Sequence, residues 1–156
     1  QGIAVTPIQM VRAVSAIANG GILTTPLVVK QIKGEGCGES TKFERSERVI
    51  STESAKQMTE MMVKAVNEGE AQWAKSTGFS VAGKTGTAQI PIAGHYDPEK
   101  TNASFIAFAP AKNPKFVMLV TLKEPQSSPW AAETAAPLWF SIANDLFPYF
   151  GINPEN

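Results

Sequence analysis

Between Phe79 and Pro125 the apolar residues recur with a period of two, and this stretch constrains the fold more than any other part of the chain. The runs "FSVAGKTGTAQI", "ASFIAFAP" and "FVMLVTLKEP" are rich in β-branched and aromatic residues and are bounded by Gly, Pro, Asn and Asp. The intervening segments, "PIAGHYDPEKTN" and "AKNPK", read as a loop and a turn. Links without a crossover helix force consecutive strands to run antiparallel. A three-stranded antiparallel meander is therefore expected over about residues 79–123.

Elsewhere the period is helical. Thr6 is placed to cap a helix with Pro7 at its first position, and Met10, Ala13, Val14, Ile17 and Ala18 form one stripe up to Gly20 and Gly21. "PLVVKQIKG" reads as a short strand and "GEGCGES" as a polar, Gly-rich loop. Ser51 or Thr52 caps a second helix that ends at Gly69. Its Ala55, Met58, Met62, Ala65 and Val66 share a face read as core, and Glu60 and Lys64 are spaced to pair on the other. Ser128 and Pro129 can start a last helix with a stripe of Ala135, Leu138, Trp139, Ile142, Ala143, Leu146 and Phe147, kinked or restarted by Pro137. The expected class is α+β, a single unit over residues 1–156 in which helices cover an antiparallel sheet.

Composition narrows the function. Of 156 residues 43% are hydrophobic and 18% charged, the balance of a globular domain. Fourteen basic residues offset fourteen acidic ones, so no long-range field gathers nucleic acid or anionic lipid. The lone Cys37 makes neither an intrachain disulfide nor a zinc site and is read as structurally neutral.

One stretch fits a phosphate-binding loop letter by letter: Gly78, four residues, then Gly83, Lys84 and Thr85. Such a loop works only when a strand leads in and a helix leads out, with the helix N-terminus facing the anion. Here Phe79 and Val81 are β-prone, and Gly86, Pro91 and Gly94 oppose a helix after Thr85. The nucleotide reading is thus the weakest. The alternative places Lys84, Thr85, Gly86 and Thr87 on a strand at the edge of the sheet, where free main-chain groups can pair with an extended peptide. Gly86 allows close approach, Lys84 contributes a positive charge, and the hydroxyls of Thr85 and Thr87 can donate to a carboxylate. A substrate ending in a free C-terminus suits such a strand.

"VAGKTGTAQ" resembles the Lys-Thr-Gly motif of the penicillin-binding proteins and serine β-lactamases, which accompanies S-x-x-K and S-x-N motifs in those enzymes. With "GIAVTPIQMVRAVSAIANGG" upstream, and "ASFIAFAPAKNPKFVMLVTLKEP" and "AAPLWFSIANDLF" downstream, the similarity to class B penicillin-binding transpeptidases runs essentially from end to end. No serine here begins S-x-x-K or S-x-N. In the family both precede the segment resembling "GIAVTPIQM", so the chain is expected to be the C-terminal half of a transpeptidase domain, inactive alone.

That resemblance implies serine acyl transfer on a peptidoglycan stem peptide, with β-lactams acylating the same serine. Lys84 would be the catalytic residue of this half, raising the local positive potential and helping proton transfer. Thr85, Gly86 and Thr87 would bind substrate, the two hydroxyls holding its carboxylate, and the Thr87 backbone N–H would be one oxyanion donor. No cofactor or metal is implied. The implied partners are the stem peptide, β-lactams, the preceding half of the domain and a glycosyltransferase of the cell-wall machinery, at the extracytoplasmic face of the bacterial cell membrane. A β-lactam sensor, a β-lactamase-related piece or a catalytically silent fragment are the alternatives.

The remaining candidates carry less. His95, the single histidine, cannot make a two-histidine metal site and sits among Gly, Asp and Pro as a solvated loop residue. "HYDPEK" does not space two carboxylates for glycoside chemistry. Trp73, Trp130 and Trp139 are scattered and read as core or groove wall, Trp130 being the one placed to border the substrate groove.

Overall fold

The computed structural model describes residues 2–29, 31–34, 37–40 and 46–155. The side chain of Cys37 lies outside the described set.

The chain opens with α1 (Pro7–Ala18), started by a complete capping box: Thr6 Oγ1 accepts from the Gln9 N–H, and the Gln9 side chain accepts from the Thr6 N–H at 2.8 Å. It stops where Gly20 and Gly21 take positive φ. Three short strands and a fourth follow as two antiparallel pairs: β1 (Ile22–Thr24) with β4 (Ser46–Arg48), and β2 (Gln31–Gly34) with β3 (Cys37–Ser40). The expected strand over 26–34 is thus shorter, and part of the expected Gly-rich loop is a strand. Pro26 offers no N–H, and Leu27, Val28 and Val29 lie exposed with no sheet beside them.

Next comes α2 (Thr52–Glu68), capped by the Ser51 hydroxyl, which accepts from the Ser54 N–H at 3.0 Å. Ala55, Met62 and Val66 are buried as expected, but Met58 is 40% exposed and lies beside the core stripe. Lys64 pairs with Glu68 rather than Glu60, at 3.7 Å. Both spacings place the partner one turn away, so spacing alone does not choose between them.

The meander is present as β5 (Ala82–Ile92), β6 (His95–Ala109) and β7 (Phe116–Lys123), in the order β5-β6-β7 and antiparallel throughout. The correction concerns the segment 91–102, expected as a loop. Most of it is strand, because β5 and β6 continue as a two-residue hairpin past the end of β7, turning at Ala93 and Gly94, both with positive φ. A bulge between Gln89 and Pro91 absorbs the missing proline donor. In this arm Asp97 Oδ1 accepts from the Glu99 and Lys100 N–H groups at 2.9 and 3.0 Å, and Lys100 reaches Glu124 at 3.0 Å.

Register sorts the sheet into two faces. Residues 103, 105, 107 and 109 of β6 turn to α3 (Ala135–Tyr149), burying Phe105 against Trp139 and Phe140 with ring centroids at 5.6 and 5.7 Å. Ile106 and Phe108 turn to the other face, where Val14 of α1 and Met62 of α2 cover them. Trp139 is fully buried, and its indole N–H donates to the Met118 carbonyl at 2.9 Å. Phe79, just ahead of β5, stacks on Phe147 with centroids 3.9 Å apart.

The last helix begins at Ala135, not at Ser128 or Pro129; residues 131–134 form a turn. Pro137 therefore stands in the first turn, where its missing N–H has no intrahelical acceptor to lose. Of the expected stripe, Leu138 and Ile142 are partly exposed while Trp139, Ala143 and Phe147 are buried. No described helix is long and apolar enough to cross a membrane.

Truncation of the buried indole is the sharpest test of this core. Trp139→Ala should destabilise the fold by about 3–5 kcal/mol, read as a lowered urea midpoint. A second test concerns the arm. The Glu99 N–H first, then the Lys100 N–H and ammonium, hold the Asp97 carboxyl below its ordinary value against partial desolvation. A depressed carboxyl contributes stability that is present above its unfolded pKa and is lost as pH falls through its folded value. Acidification below the ordinary carboxylate range should therefore shift the Glu99 and Lys100 amide resonances together and loosen the arm, and Asp97→Asn should abolish that step.

Candidate functional site

Lys84, Thr85, Gly86 and Thr87 fall in the middle of β5, opposite Ile106, Phe105, Ser104 and Ala103 of β6. Among the described residues no strand pairs with the other side of β5, so the four residues stand on an open edge. Strand continues through Thr85 to Ile92, and no helix starts there. That geometry excludes a phosphate-binding loop, which needs the Lys-Thr pair to open a helix.

The alternation of the strand gives each residue a distinct aspect. Lys84 and Gly86 share the face of Ile106 and Ser104, whereas Thr85 and Thr87 share the α3-side face of Phe105 and Ala103. Lys84 is exposed, and its ammonium bends to the edge, donating to the Thr85 carbonyl at 3.0 Å and to Thr85 Oγ1 at 3.3 Å. A carbonyl available to that ammonium points away from β6. In an antiparallel ladder both main-chain groups of one residue point the same way and every second residue repeats it, which directs the Thr87 N–H to the same open edge.

Thr87 is exposed, and its Oγ1 accepts from the Ala131 N–H at 3.1 Å, tying β5 to the loop after β7. The adjoining residue, Trp130, is 56% exposed. Trp73, read as core or groove wall, is 63% exposed on the short helical turn Gln72–Ala74 and so is not core. His95 is exposed at the start of β6, at the far tip of the arm, and belongs to a strand rather than to a loop. No cluster of metal-ligating side chains occurs among the described residues.

Toward the N-terminal end of β5 the edge is flanked by the end of α2. Ala65, Gly69, Glu70 and Ala71 line a cavity of about 270 Å³ together with Gly83, Lys84 and Thr85. Val66 and Ala71 pass the strand edge to join the core on the α3 side. The α2–β5 connection therefore holds β5 from its flank while Gly86 and Thr87 remain open.

The two glycines of this strand differ in kind. A Cβ at Gly83 would lie 2.6 Å from the Ala107 Cβ and 2.9 Å from Phe105 Cζ, whereas at Gly86 it would meet nothing within 4 Å. Gly83→Ala should therefore destabilise the fold by about 1–3 kcal/mol through overpacking. Gly86→Ala should leave thermal stability within about 0.5 kcal/mol. Any loss of ligand capture in Gly86→Ala would then report the groove, not the fold.

Comparison with known proteins places the chain in a family. The family model described as the penicillin binding protein transpeptidase domain matches residues 1–147. Stage V sporulation protein D of Bacillus subtilis is 38% identical over 159 aligned residues, covering 99% of this chain and 25% of that protein. Peptidoglycan D,D-transpeptidase PbpA of Mycolicibacterium smegmatis is 34% identical over 126 residues, covering 78% of this chain and 25% of that protein. Among solved structures, penicillin-binding protein 3 of Mycobacterium tuberculosis complexed with ampicillin superposes with a TM-score of 0.88 at 29% identity, over 99% of this chain and 37% of the other. The chain thus spans about a quarter of the length of these curated relatives. By its sequence and its fold, the chain belongs to the penicillin-binding protein transpeptidase domain family.

Proposed function

We propose that these residues form the C-terminal half of a peptidoglycan D,D-transpeptidase domain of the class B kind, supplying its substrate-binding strand and not its nucleophile. The observation that carries the reading is the display of Lys84, Thr85, Gly86 and Thr87 along an open sheet edge, within a chain of this family. No serine of the sequence begins S-x-x-K or S-x-N.

The chemistry follows from what the strand offers. A serine of the preceding half attacks the carbonyl of the penultimate D-Ala of a stem peptide, D-Ala leaves, and an amine of a neighbouring strand resolves the acyl-enzyme. The peptide lies antiparallel to β5 as an added strand, and the Thr87 N–H donates to the oxyanion that develops at the attacked carbonyl. Lys84 raises the positive potential at the serine and assists proton transfer, while the hydroxyls of Thr85 and Thr87 hold the terminal carboxylate. Gly86, whose side-chain direction is empty, keeps the groove open. A β-lactam carries the same carboxylate beside its reactive amide and enters by the same contacts. The site of action is the extracytoplasmic face of the bacterial cell membrane, with a glycosyltransferase of the wall machinery as working partner.

Loss of one oxyanion donor typically lowers the rate about 100- to 1000-fold, and loss of the nucleophile removes the reaction. The 156-residue chain alone should therefore take no label from a fluorescent penicillin. Mixed with the segment that precedes it in its gene, it should support labelling of that segment's serine, and Lys84→Ala should abolish the signal. Label on the chain alone, labelling indifferent to Lys84→Ala, or tight nucleotide binding would each overturn the reading.

A further inference from the structure

Two polar side chains are buried among the described residues, Thr101 at 6% exposure and Thr134 at 8%. Both direct their hydroxyl protons to consecutive carbonyls of one loop: Thr101 Oγ1 donates to Pro129 O at 2.7 Å, and Thr134 Oγ1 donates to Trp130 O at 2.7 Å. The consecutive N–H groups of that loop also end on hydroxyls. Trp130 N–H donates to Ser128 Oγ at 3.2 Å, and Ala131 N–H donates to Thr87 Oγ1 at 3.1 Å. The peptide groups on either side of Trp130 are thus held by four hydroxyl side chains drawn from β5, β6, the loop itself and the turn before α3.

Burial anchors this segment only from Ala131 onward, since Ala131 and Ala132 lie in the core whereas Pro129 and Trp130 are exposed; the carbonyls of those two exposed residues are held by hydroxyls, that of Trp130 also by the Glu133 N–H. The end of the chain of contacts is Thr87. A hydroxyl has one proton and two lone pairs, so an Oγ1 that accepts from Ala131 N–H has one position about its C–O bond taken, which turns the proton away from Ala131 and leaves it for donation. A carboxylate only accepts, so it needs a threonine whose proton is left for donation in this way.

We propose that Thr101 is a positioning residue for this site: through Pro129 O it holds the loop whose Ala131 N–H orients the Thr87 hydroxyl as a donor to the ligand's carboxylate. The inference rests on the carboxylate-binding role given to Thr87 above. It assigns a function to a buried threonine on the central strand, two residues beyond the four of the edge motif in register terms, since Thr101 lies opposite Gln89.

The test is carried out on the full-length gene product, comparing acylation by benzylpenicillin with acylation by its methyl ester, which lacks the anion. Thr101→Val keeps the shape and deletes the donor. It should slow penicillin about 5- to 30-fold while changing the ester less than about twofold, because only the anion depends on the oriented proton. Thr101→Ser, which restores a donor, should return penicillin to within about threefold of the parent. Should Thr101→Val fail to fold, Thr134→Val removes one of the two donors to the neighbouring Trp130 carbonyl, the Glu133 N–H being the other, and should give the same selective loss. Equal losses for penicillin and ester, or no loss in a folded Thr101→Val protein, would overturn the positioning role. A parent protein that does not prefer penicillin over its ester, or keeps that preference after Lys84→Ala and Thr87→Val, would overturn the carboxylate reading itself, a result distinct from any behaviour of Thr101.

Discussion

Two-sided burial of β6 sets everything else. Its odd-numbered residues, Ala103, Phe105, Ala107 and Ala109, pack under α3, while Ile106 and Phe108 pack under α1 and α2. A slip of one residue would exchange these sets and place phenylalanine where the α3 side has room for alanine. Register is therefore fixed by the core, and β5 inherits it through direct pairing: Lys84 can lie only opposite Ile106, and Thr87 only opposite Ala103. The edge residues are positioned by groups buried on the two faces of the sheet.

The same burial explains why β5 can be both rigid and open. Gly83 is pressed against Ala107 and Phe105, and the end of α2 passes the strand edge beside it. Three residues further on, Gly86 faces empty space. The strand is thus clamped at one end and offered at the other, an arrangement suited to adding an extended peptide without moving the sheet. The loop after β7 completes the clamp from the α3 side, through hydroxyl contacts at Pro129 and Trp130 and through burial of Ala131 and Ala132.

Where sequence patterns and structure part, the reasons are specific. The meander and the two leading helices were legible because their periods are long and their caps explicit, as with the Thr6–Gln9 box. The arm at 91–102 was not, because Pro91, Gly94 and Pro98 are loop residues by composition, and only pairing between the two halves of the hairpin makes strand of the residues on either side of the turn at Ala93 and Gly94. The start of α3 is not legible because Pro129 is as good a first helical residue as any, while the turn at 131–134 rests on the bond from the Ala131 N–H to Thr87, the Glu133 N–H and Thr134 hydroxyl on the Trp130 carbonyl, and burial of Ala131 and Ala132, none of which has a periodicity. Met58 sits on a helix face that local spacing assigns to the interior, yet no described element covers it and it is left 40% exposed.

By itself the sequence determined the class of fold, the antiparallel order of the last three strands and the identity of the four residues on the edge, because each depends on local period, link length or a contiguous motif. The tertiary structure decided which way those four residues face, which of the two glycines is packed and which is free, and which loop holds the Thr87 hydroxyl. Those are relations between segments that lie far apart in the chain, as Thr87 and Ala131 do, and no local pattern encodes a distance across a folded core.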